Sequence, residues 1–363
     1  MNFSGYVQVN QQPLEESPLN NVDVLVLCWL AYFDFSSIKD KLPIKIKDID
    51  KFPVFKTLDP YEASFMARKS RIFMKRLMAS PRFNEFELVE SKELNDTELN
   101  VQFRALAVKN KDNIFALFSG TDPTFVGWKE DFYLSFKETI ASHQLGLDFV
   151  QEVRKLYDLP LIIAGHSKGG NIATYVLSEL ENIDNIQRVY SYDGPNFRNK
   201  ELYKGKEERL LKITKIIPQS SFVGILFTNQ FDSQIVKSRN ILMFQHNPLE
   251  WVVTEDDFAY TSKTTMASRY IDRCVNNLIY SLDVKDRERF TQILFDSLSN
   301  LPVNDFTTLA KRLLYQVKPA YTIVKNLPKE DKKFFMNIVF KLVKHLMPSS
   351  YARKLKKNIT VQN

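Results

Sequence analysis

A short glycine-rich turn constrains the fold of this chain more than any other feature of its sequence. Gly165, Ser167 and Gly169 form a G-x-S-x-G motif, with an apolar run at 161–164 before it and a helix-forming run at 171–176 after it. Small residues on both sides of the serine let a strand and a helix approach closely around a sharp, strained turn. The pattern predicts a nucleophile elbow, with Ser167 at a helix N-terminus whose free N–H groups favour developing negative charge.

A serine hydroxyl is a poor nucleophile until a base removes its proton, and the chain has four histidines that could be this base. His143 precedes the motif near the start of a predicted helix, and His345 lies on a basic C-terminal helix. His166 adjoins the serine, and the turn directs its side chain away. His246 follows Ser167 in a loop-like stretch, as the chain order serine, acid, histidine of this fold requires. His246 is therefore the predicted base.

Two aspartates are candidates for the acid that orients the histidine. Asp193 ends the strand-like run 189–192, and a carboxylate at the C-terminal end of a sheet strand is well placed beside the nucleophile. Asp232 lies in a loop-like stretch between the last two strand candidates. Asp193 is the favoured candidate, and Asp232 is the alternative.

An oxyanion intermediate requires two N–H donors. The backbone N–H of Lys168, directly after the nucleophile, is one predicted donor. The apolar run 114–118 ends near Gly120, and the loop 118–122 is predicted to supply the second. The aromatic-rich stretch 123–144 follows, and it is typical either of a mobile lid or acyl-site wall or of an ordinary packed helix.

Alternating strand and helix signals predict the architecture. Runs 101–108 and 114–118, joined by the turn-rich 109–113, predict an antiparallel hairpin. Helical stretches at 142–157 and 169–181 then alternate with short strands at 161–164, 189–192 and 213–217. This order predicts a mostly parallel central sheet with flanking helices. The nucleophile elbow in that setting is typical of the α/β-hydrolase fold. Asp59 and Pro60 predict the start of an additional helix that reaches about residue 78, and the apolar run 21–33 fits either a helix or a strand.

The chain has three predicted regions: a flexible N-terminal arm at 1–20, an α/β-hydrolase domain at 21–255 and a helical, basic region at 256–363. Residues 306–363 carry 13 lysines and arginines against two acidic residues, a net charge of +11 that leaves the rest of the chain at −4. The tail has no pattern typical of nucleic-acid binding. One helix at 332–347 has an apolar face formed by Phe335, Ile338, Val339, Leu342 and Leu346. Docking of this helix on the body is the first interpretation, and peripheral membrane contact through the basic region is the alternative.

Composition is that of an ordinary globular protein, with 44% hydrophobic and 26% charged residues in 363. Cys28 and Cys274 are too few for a disulfide framework, which favours a reducing compartment. No secretory signal is recognisable at the start, and the longest apolar run, 24–33, is too short to cross a bilayer. The expectation is a cytoplasmic protein.

Further motifs resemble known lipases. The sequence Phe-Ser-Gly-Thr at 118–121, followed by Gly-Trp-Lys-Glu-Asp at 127–131, is similar to the oxyanion segment of fungal-type (class 3) triacylglycerol lipases, in which the residue at the position of Thr121 forms the hole. Together with the motifs at 165–171, 192–195, 218–224 and 245–248, it resembles an uncharacterised bacterial family of lipase-like α/β-hydrolases over residues 20–255. Fungal-type lipases place their acid after the next strand, where 219–221 has no carboxylate. Pancreatic-type lipases use an aspartate in a setting similar to that of Asp193.

These features predict a serine hydrolase of the esterase or lipase type that cleaves a carboxylic ester or thioester through an acyl-enzyme on Ser167. Its substrate would be a small acyl ester or a lipid, and no cofactor or metal is implied. The alternatives are an acyltransferase with the same triad and a non-catalytic binding or scaffold protein of the same fold.

Overall fold

A single mixed sheet organises the molecule. The computed structural model describes residues 1–52, 65–228, 230–303, 305–306, 308–309 and 327–346. The strands are β1 (Ile44–Lys45), β2 (Glu87–Asp96), β3 (Val101–Lys109), β4 (Ile114–Phe118), β5 (Leu161–His166), β6 (Ile186–Tyr192), β7 (Ile213–Pro218), β8 (Ser233–Val236) and β9 (Tyr260–Thr261). They lie in the sheet in chain order. Pairing is parallel from β4 to β8 and antiparallel at both sides of this block. The predicted hairpin is confirmed as β3 and β4.

Helices cover both faces of the sheet. They are α1 (Phe3–Val9), α2 (Asn21–Trp29), α3 (Phe65–Ala79), α4 (Phe125–Tyr133), α5 (Ala141–Leu156), α6 (Lys168–Glu179), α7 (Glu207–Leu210), α8 (Met266–Ser281), α9 (Val284–Ser299) and α10 (Lys329–Leu346). Alternate residues of β4 and β5 enter two hydrophobic clusters: Phe115 and Ile162 pack with α1, α2 and α3, whereas Ala116 and Ile163 pack with α5 and α6. Both central strands are therefore buried throughout, as expected for a covered parallel sheet. This layered arrangement fits the α/β-hydrolase fold.

The apolar run 21–33 begins as helix α2 rather than as a strand. Asn20 caps its first turn by accepting from the N–H groups of Val22 and Asp23, and the Asp23 side chain accepts from the N–H of Asn20. This reciprocal capping box satisfies donors that a helix start otherwise leaves open. Seven residues after Asn21, Cys28 is fully buried beneath the sheet.

The expectation of a flexible N-terminal arm is wrong. Helix α1 buries Phe3, Tyr6 and Val7 completely in the core below the sheet. Arg82 holds the following segment by donating to the carbonyl oxygens of residues 12, 17 and 18 and to the buried carboxylate of Asp23. Because these partners lie far along the chain, local polarity and the two prolines gave no sign of them.

The last helices pack over the C-terminal ends of the strands. Phe295 and Leu298 of α9 form a cluster with Phe125 of α4, and α10 packs on α8 and α9 through the buried Phe335 and Ile338. Strand β9 completes the sheet just beyond residue 255, where the sequence predicted the domain to end. The stretch 123–144 contains two packed helices and the turn between them.

The predicted helix start at Asp59 and Pro60 lies outside the described residues, and α3 is described from Phe65 onward. In the described part of the chain, no helix combines the length and apolar character needed to traverse a bilayer.

Candidate active site

The turn between β5 and α6 has the strained geometry that its sequence predicts. Ser167 adopts φ 58° and ψ −129°, a conformation rare for any residue with a side chain. Strand and helix approach so closely that a Cβ added to Gly165 would lie 2.0 Å from the carbonyl oxygen of Gly169. A Cβ at Gly169 would lie 2.3 Å from the carbonyl oxygen of Phe118 on β4. Only glycine fits at these two positions, and the turn raises Ser167 above the end of the sheet.

Ser167, His246 and Asp193 form one chain of hydrogen bonds. Ser167 Oγ donates to His246 Nε2 across 2.9 Å, and His246 Nδ1 donates to Asp193 Oδ2 across 2.7 Å. The carboxylate can only accept, so it requires the proton on Nδ1 and leaves Nε2 free to accept from the serine. Asp193 is fully buried, whereas 27% of the His246 side chain is exposed. The arrangement can move a proton from the serine to the histidine.

Asp193 is held by partners on the neighbouring strand end. Its Oδ1 accepts from Ser221 Oγ across 2.5 Å and from the Gly224 N–H across 3.0 Å, while its own N–H donates to the carbonyl oxygen of Ile216. Its backbone φ of 47° turns the chain sharply after β6. Asp232, the alternative acid, is exposed and has no part in this network. The structure therefore places Asp193, and not Asp232, beside His246.

His246 ends a short 3₁₀ turn whose backbone His166 supports. His166 Nε2 donates to the carbonyl oxygen of His246 across 2.9 Å, and its Nδ1 accepts from the Tyr32 hydroxyl across 2.5 Å. The two imidazole rings lie 4.7 Å apart. Burial, together with the nearby His246, holds the pKa of His166 well below its usual value, so His166 stays neutral. The side chain of His166 thus reaches the loop that carries His246, a role that the sequence did not predict.

The other two histidines lie elsewhere. His143 on α5 is fully buried, stacks on the Tyr175 ring and bonds through Nε2 to Asn171 Oδ1 across 2.7 Å. Burial lowers its pKa to about 4, so it remains neutral. His345 lies in the last turn of α10, where its carbonyl oxygen accepts from the Cys274 thiol. Neither reaches Ser167.

The residues that carry the two predicted oxyanion donors lie next to the serine. Lys168 begins α6 directly after Ser167. Gly120 packs so tightly that an added Cβ would lie 2.7 Å from the Cβ of Ser167, which brings Thr121 next to the nucleophile. The Thr121 hydroxyl donates to Asp131 Oδ2 across 2.6 Å. Burial raises the pKa of Asp131 to about 6 despite this hydrogen bond and the nearby Lys168 charge.

Several supporting residues had partial signals in the sequence. Asp131 belongs to the lipase-like oxyanion segment, and Ser221 and Gly224 lie in the loop after β7, next to the end of β6. Loops that follow adjacent parallel strands meet at one edge of the sheet, which is a usable signal. The contact of His166 with His246 had no signal in the sequence. Within the described residues, no group of three or more histidine, cysteine or acidic side chains has the geometry of a metal site.

Comparison with solved structures finds fungal lipases of low identity. Lipase II from Rhizopus niveus is 14% identical, with 53% of this chain and 81% of that chain covered and a TM-score of 0.36. Lip2 lipase from Yarrowia lipolytica is 12% identical, with 66% and 91% covered and a TM-score of 0.34. The Rhizomucor miehei lipase in its propeptide complex is 11% identical, with 74% and 87% covered and a TM-score of 0.33.

Comparison of sequences gives a family but no curated relative. No curated protein matches the chain. The model of the Mbeg1-like family matches residues 77–296, a stretch that includes β2 to β9 and all three members of the hydrogen-bonded chain. Because that match spans more than half of the sequence, the chain belongs to the Mbeg1-like family.

Proposed function

We propose that the chain is a serine hydrolase of the esterase or lipase type. The observation that carries the proposal is the continuous hydrogen-bonded path from Ser167 Oγ through His246 to Asp193, built on a strained turn. A strained serine, a base in contact with it and a buried acid behind the base are the parts that nucleophilic acyl transfer requires. A structural ion pair or an ordinary turn does not require a strained serine, a base and a buried acid that are bonded in this order.

The reaction has two halves. Ser167 Oγ attacks the carbonyl carbon of an ester or thioester as its proton passes to His246 Nε2, and the N–H groups of Thr121 and Lys168 donate to the oxyanion. The tetrahedral intermediate collapses, the alcohol or thiol takes the proton from His246, and an acyl-enzyme remains. Water then attacks with His246 as base, releasing the carboxylic acid and restoring the serine. Asp193 stabilises the imidazolium in both halves.

Hydrolysis of p-nitrophenyl esters of increasing acyl length tests the proposal. We expect release of p-nitrophenol by the unaltered chain and a loss of about 10³-fold or more in the Ser167→Ala variant. Ser299→Ala is the matched control, because Ser299 lies exposed at the end of α9, where its hydroxyl donates to the carbonyl oxygen of Phe295 in the same helix. Equal rates in the unaltered chain and in Ser167→Ala would refute the assignment of the nucleophile.

Added acceptors separate hydrolysis from acyl transfer. If glycerol or a small primary amine receives the acyl group in preference to water, the second half of the reaction is a transferase step. If only the free acid forms, it is hydrolysis. Absence of acyl release under every condition would leave the fold as a binding or scaffold module.

A further inference from the structure

A buried ion pair lies directly behind the proposed oxyanion hole. The side chains of Lys168 and Glu130 are 2% and 1% exposed, and Lys168 Nζ lies 2.7 Å from Glu130 Oε2. Lys168 Nζ also donates to the carbonyl oxygen of Gln102 across 2.6 Å and to Gln102 Oε1 across 3.0 Å. We call Lys168, Glu130 and Gln102 the anchor cluster. It joins three separate elements: α6, α4 and β3.

Glu130 is fully satisfied in this site. Its Oε1 accepts from the hydroxyl and the N–H of Ser142 across 2.7 and 3.1 Å, and its Oε2 also accepts from the Gln102 N–H across 3.2 Å. Burial disfavours the carboxylate, but the Lys168 charge and these hydrogen bonds outweigh burial, so the pKa of Glu130 lies below its usual value. Glu130 is therefore a carboxylate at neutral pH.

Stability alone does not account for this pair. Removing two charges from water is costly, and well-packed apolar residues of similar volume often give an equally stable or more stable fold. A buried pair with every partner in place does fix geometry, because its directional contacts permit one arrangement. The location of the anchor cluster shows which geometry it fixes.

Each member of the anchor cluster is connected to an oxyanion donor. Lys168 carries one proposed donor on its own main chain. Glu130 precedes Asp131, which accepts from the Thr121 hydroxyl. Gln102 Oε1, which accepts from Lys168 Nζ, also accepts from the N–H of Asp122, the residue after Thr121. The loop that carries one donor and the helix that carries the other thus share buried partners.

We propose that Lys168 and Glu130 are positioning residues that hold the two N–H donors of the oxyanion hole at a fixed separation. This inference rests on the proposed hydrolase function and extends it to the residues behind the site. Oxyanion stabilisation requires donors already placed about 2.7–3.1 Å from the developing charge, so freedom of the Thr121 loop relative to α6 lowers the rate. The side chains act through the main chain of Lys168 and through Asp131, not by contact with substrate.

A double variant tests the inference. Lys168→Met with Glu130→Gln removes both charges of the pair together, so that neither partner is left without the other, and keeps side chains of similar size. We expect kcat for a p-nitrophenyl ester to fall about 10- to 100-fold with KM within twofold. Affinity for an alkyl boronic acid, which forms a tetrahedral adduct on the serine, should weaken by the same factor. Binding of an uncleavable amide analogue of the substrate should not change.

A second variant and a matched control complete the design. Gln102→Met keeps the ion pair but removes the acceptor that Lys168 and Asp122 share, so a smaller fall in kcat is expected even if the double variant does not fold. The control is Arg82→Met with Asp23→Asn, which removes another fully buried ion pair beneath the sheet. We expect that control to lower the melting temperature and leave kcat unchanged.

The outcomes are distinguishable. If the unaltered chain is active and a folded double variant has the same kcat and boronic-acid affinity, the positioning role is refuted and the proposed function stands. If the double variant does not fold, unchanged kcat in Gln102→Met refutes it. If the unaltered chain itself neither hydrolyses esters nor binds the boronic acid, the proposed function fails and this inference fails with it.

Discussion

Asp193→Asn is the substitution whose effect follows most directly from the contacts of the site. In the unaltered chain, the two carboxylate oxygens of Asp193 have separate partners. Oδ1 accepts from Ser221 Oγ and the Gly224 N–H, and Oδ2 accepts from His246 Nδ1. An asparagine has one acceptor and one donor at these positions. Its oxygen is expected to remain with the two donors, which turns its amino group toward His246.

That orientation reverses the histidine. An amino group donates to Nδ1, so the ring proton moves to Nε2. Nε2 faces Ser167, and once it carries a proton it cannot accept the serine proton. The flipped amide would place its amino group against the buried Gly224 N–H, at a cost of about 1–3 kcal/mol for an unsatisfied donor. At about 1.4 kcal/mol per tenfold, this reduces the competent population by about 5- to 140-fold. Loss of the carboxylate charge 2.7 Å from Nδ1 lowers the rate further, to a total of about 10³- to 10⁴-fold.

Steady-state hydrolysis of a p-nitrophenyl ester measures this effect, with Asp232→Asn as the matched control. We expect kcat to collapse in Asp193→Asn with a nearly unchanged melting temperature, and Asp232→Asn to match the unaltered chain. Full activity in Asp193→Asn, or loss of activity in Asp232→Asn alone, would refute the assignment of the acid.

Three other substitutions test neighbouring parts of the account. His166→Phe leaves the carbonyl oxygen of His246 without its donor and should lower kcat about 10- to 100-fold in ester assays, whereas His166→Gln, which can still donate, should retain most activity. Equal kcat values for His166→Phe and the unaltered chain would contradict the role. Burial lowers the pKa of Lys215 to about 7, so between about pH 7 and 10 the unfolded chain binds a proton there that the folded chain does not, and stability rises with pH. Urea titrations measure the rise in the free energy of unfolding from about pH 7.5 to about pH 9.5. In Lys215→Met this rise should be smaller by about 2–3 kcal/mol than in the unaltered chain, and an equal rise in both proteins would refute the prediction. Gly169→Ala forces a Cβ against the Phe118 backbone and should lower the free energy of unfolding by about 1–3 kcal/mol or more, measured by thermal melting, with an unchanged midpoint as the contrary result.

Local patterns carried the prediction of the sheet and the turn, because each depends on residues close together in sequence. Alternating apolar residues predicted β3 and β4, and the glycines on either side of Ser167 predicted the strained turn that the structure has. The order of parallel strands also favoured Asp193, since the loops after β5 and β6 meet at one edge of the sheet.

Contacts between distant segments could not be predicted from the sequence. The first residues look polar and turn-rich, yet Phe3 and Tyr6 lie in the core because partners far along the chain, among them Arg82 and Val253, hold that segment in place. The anchor cluster behind Thr121 has the same character. No spacing rule connects Gln102, Glu130 and Lys168, and a lysine at the start of a helix is ordinarily solvated.

Fluorophosphonate labelling followed by peptide mass analysis tests the central claim most directly, since the probe reacts only with a serine that its surroundings have activated. We predict one adduct per chain, located on Ser167, formed by the unaltered protein and the Ser299→Ala control, and absent in His246→Ala on the same time scale. No adduct in the folded, unaltered protein, or an adduct on a different serine, would contradict the account.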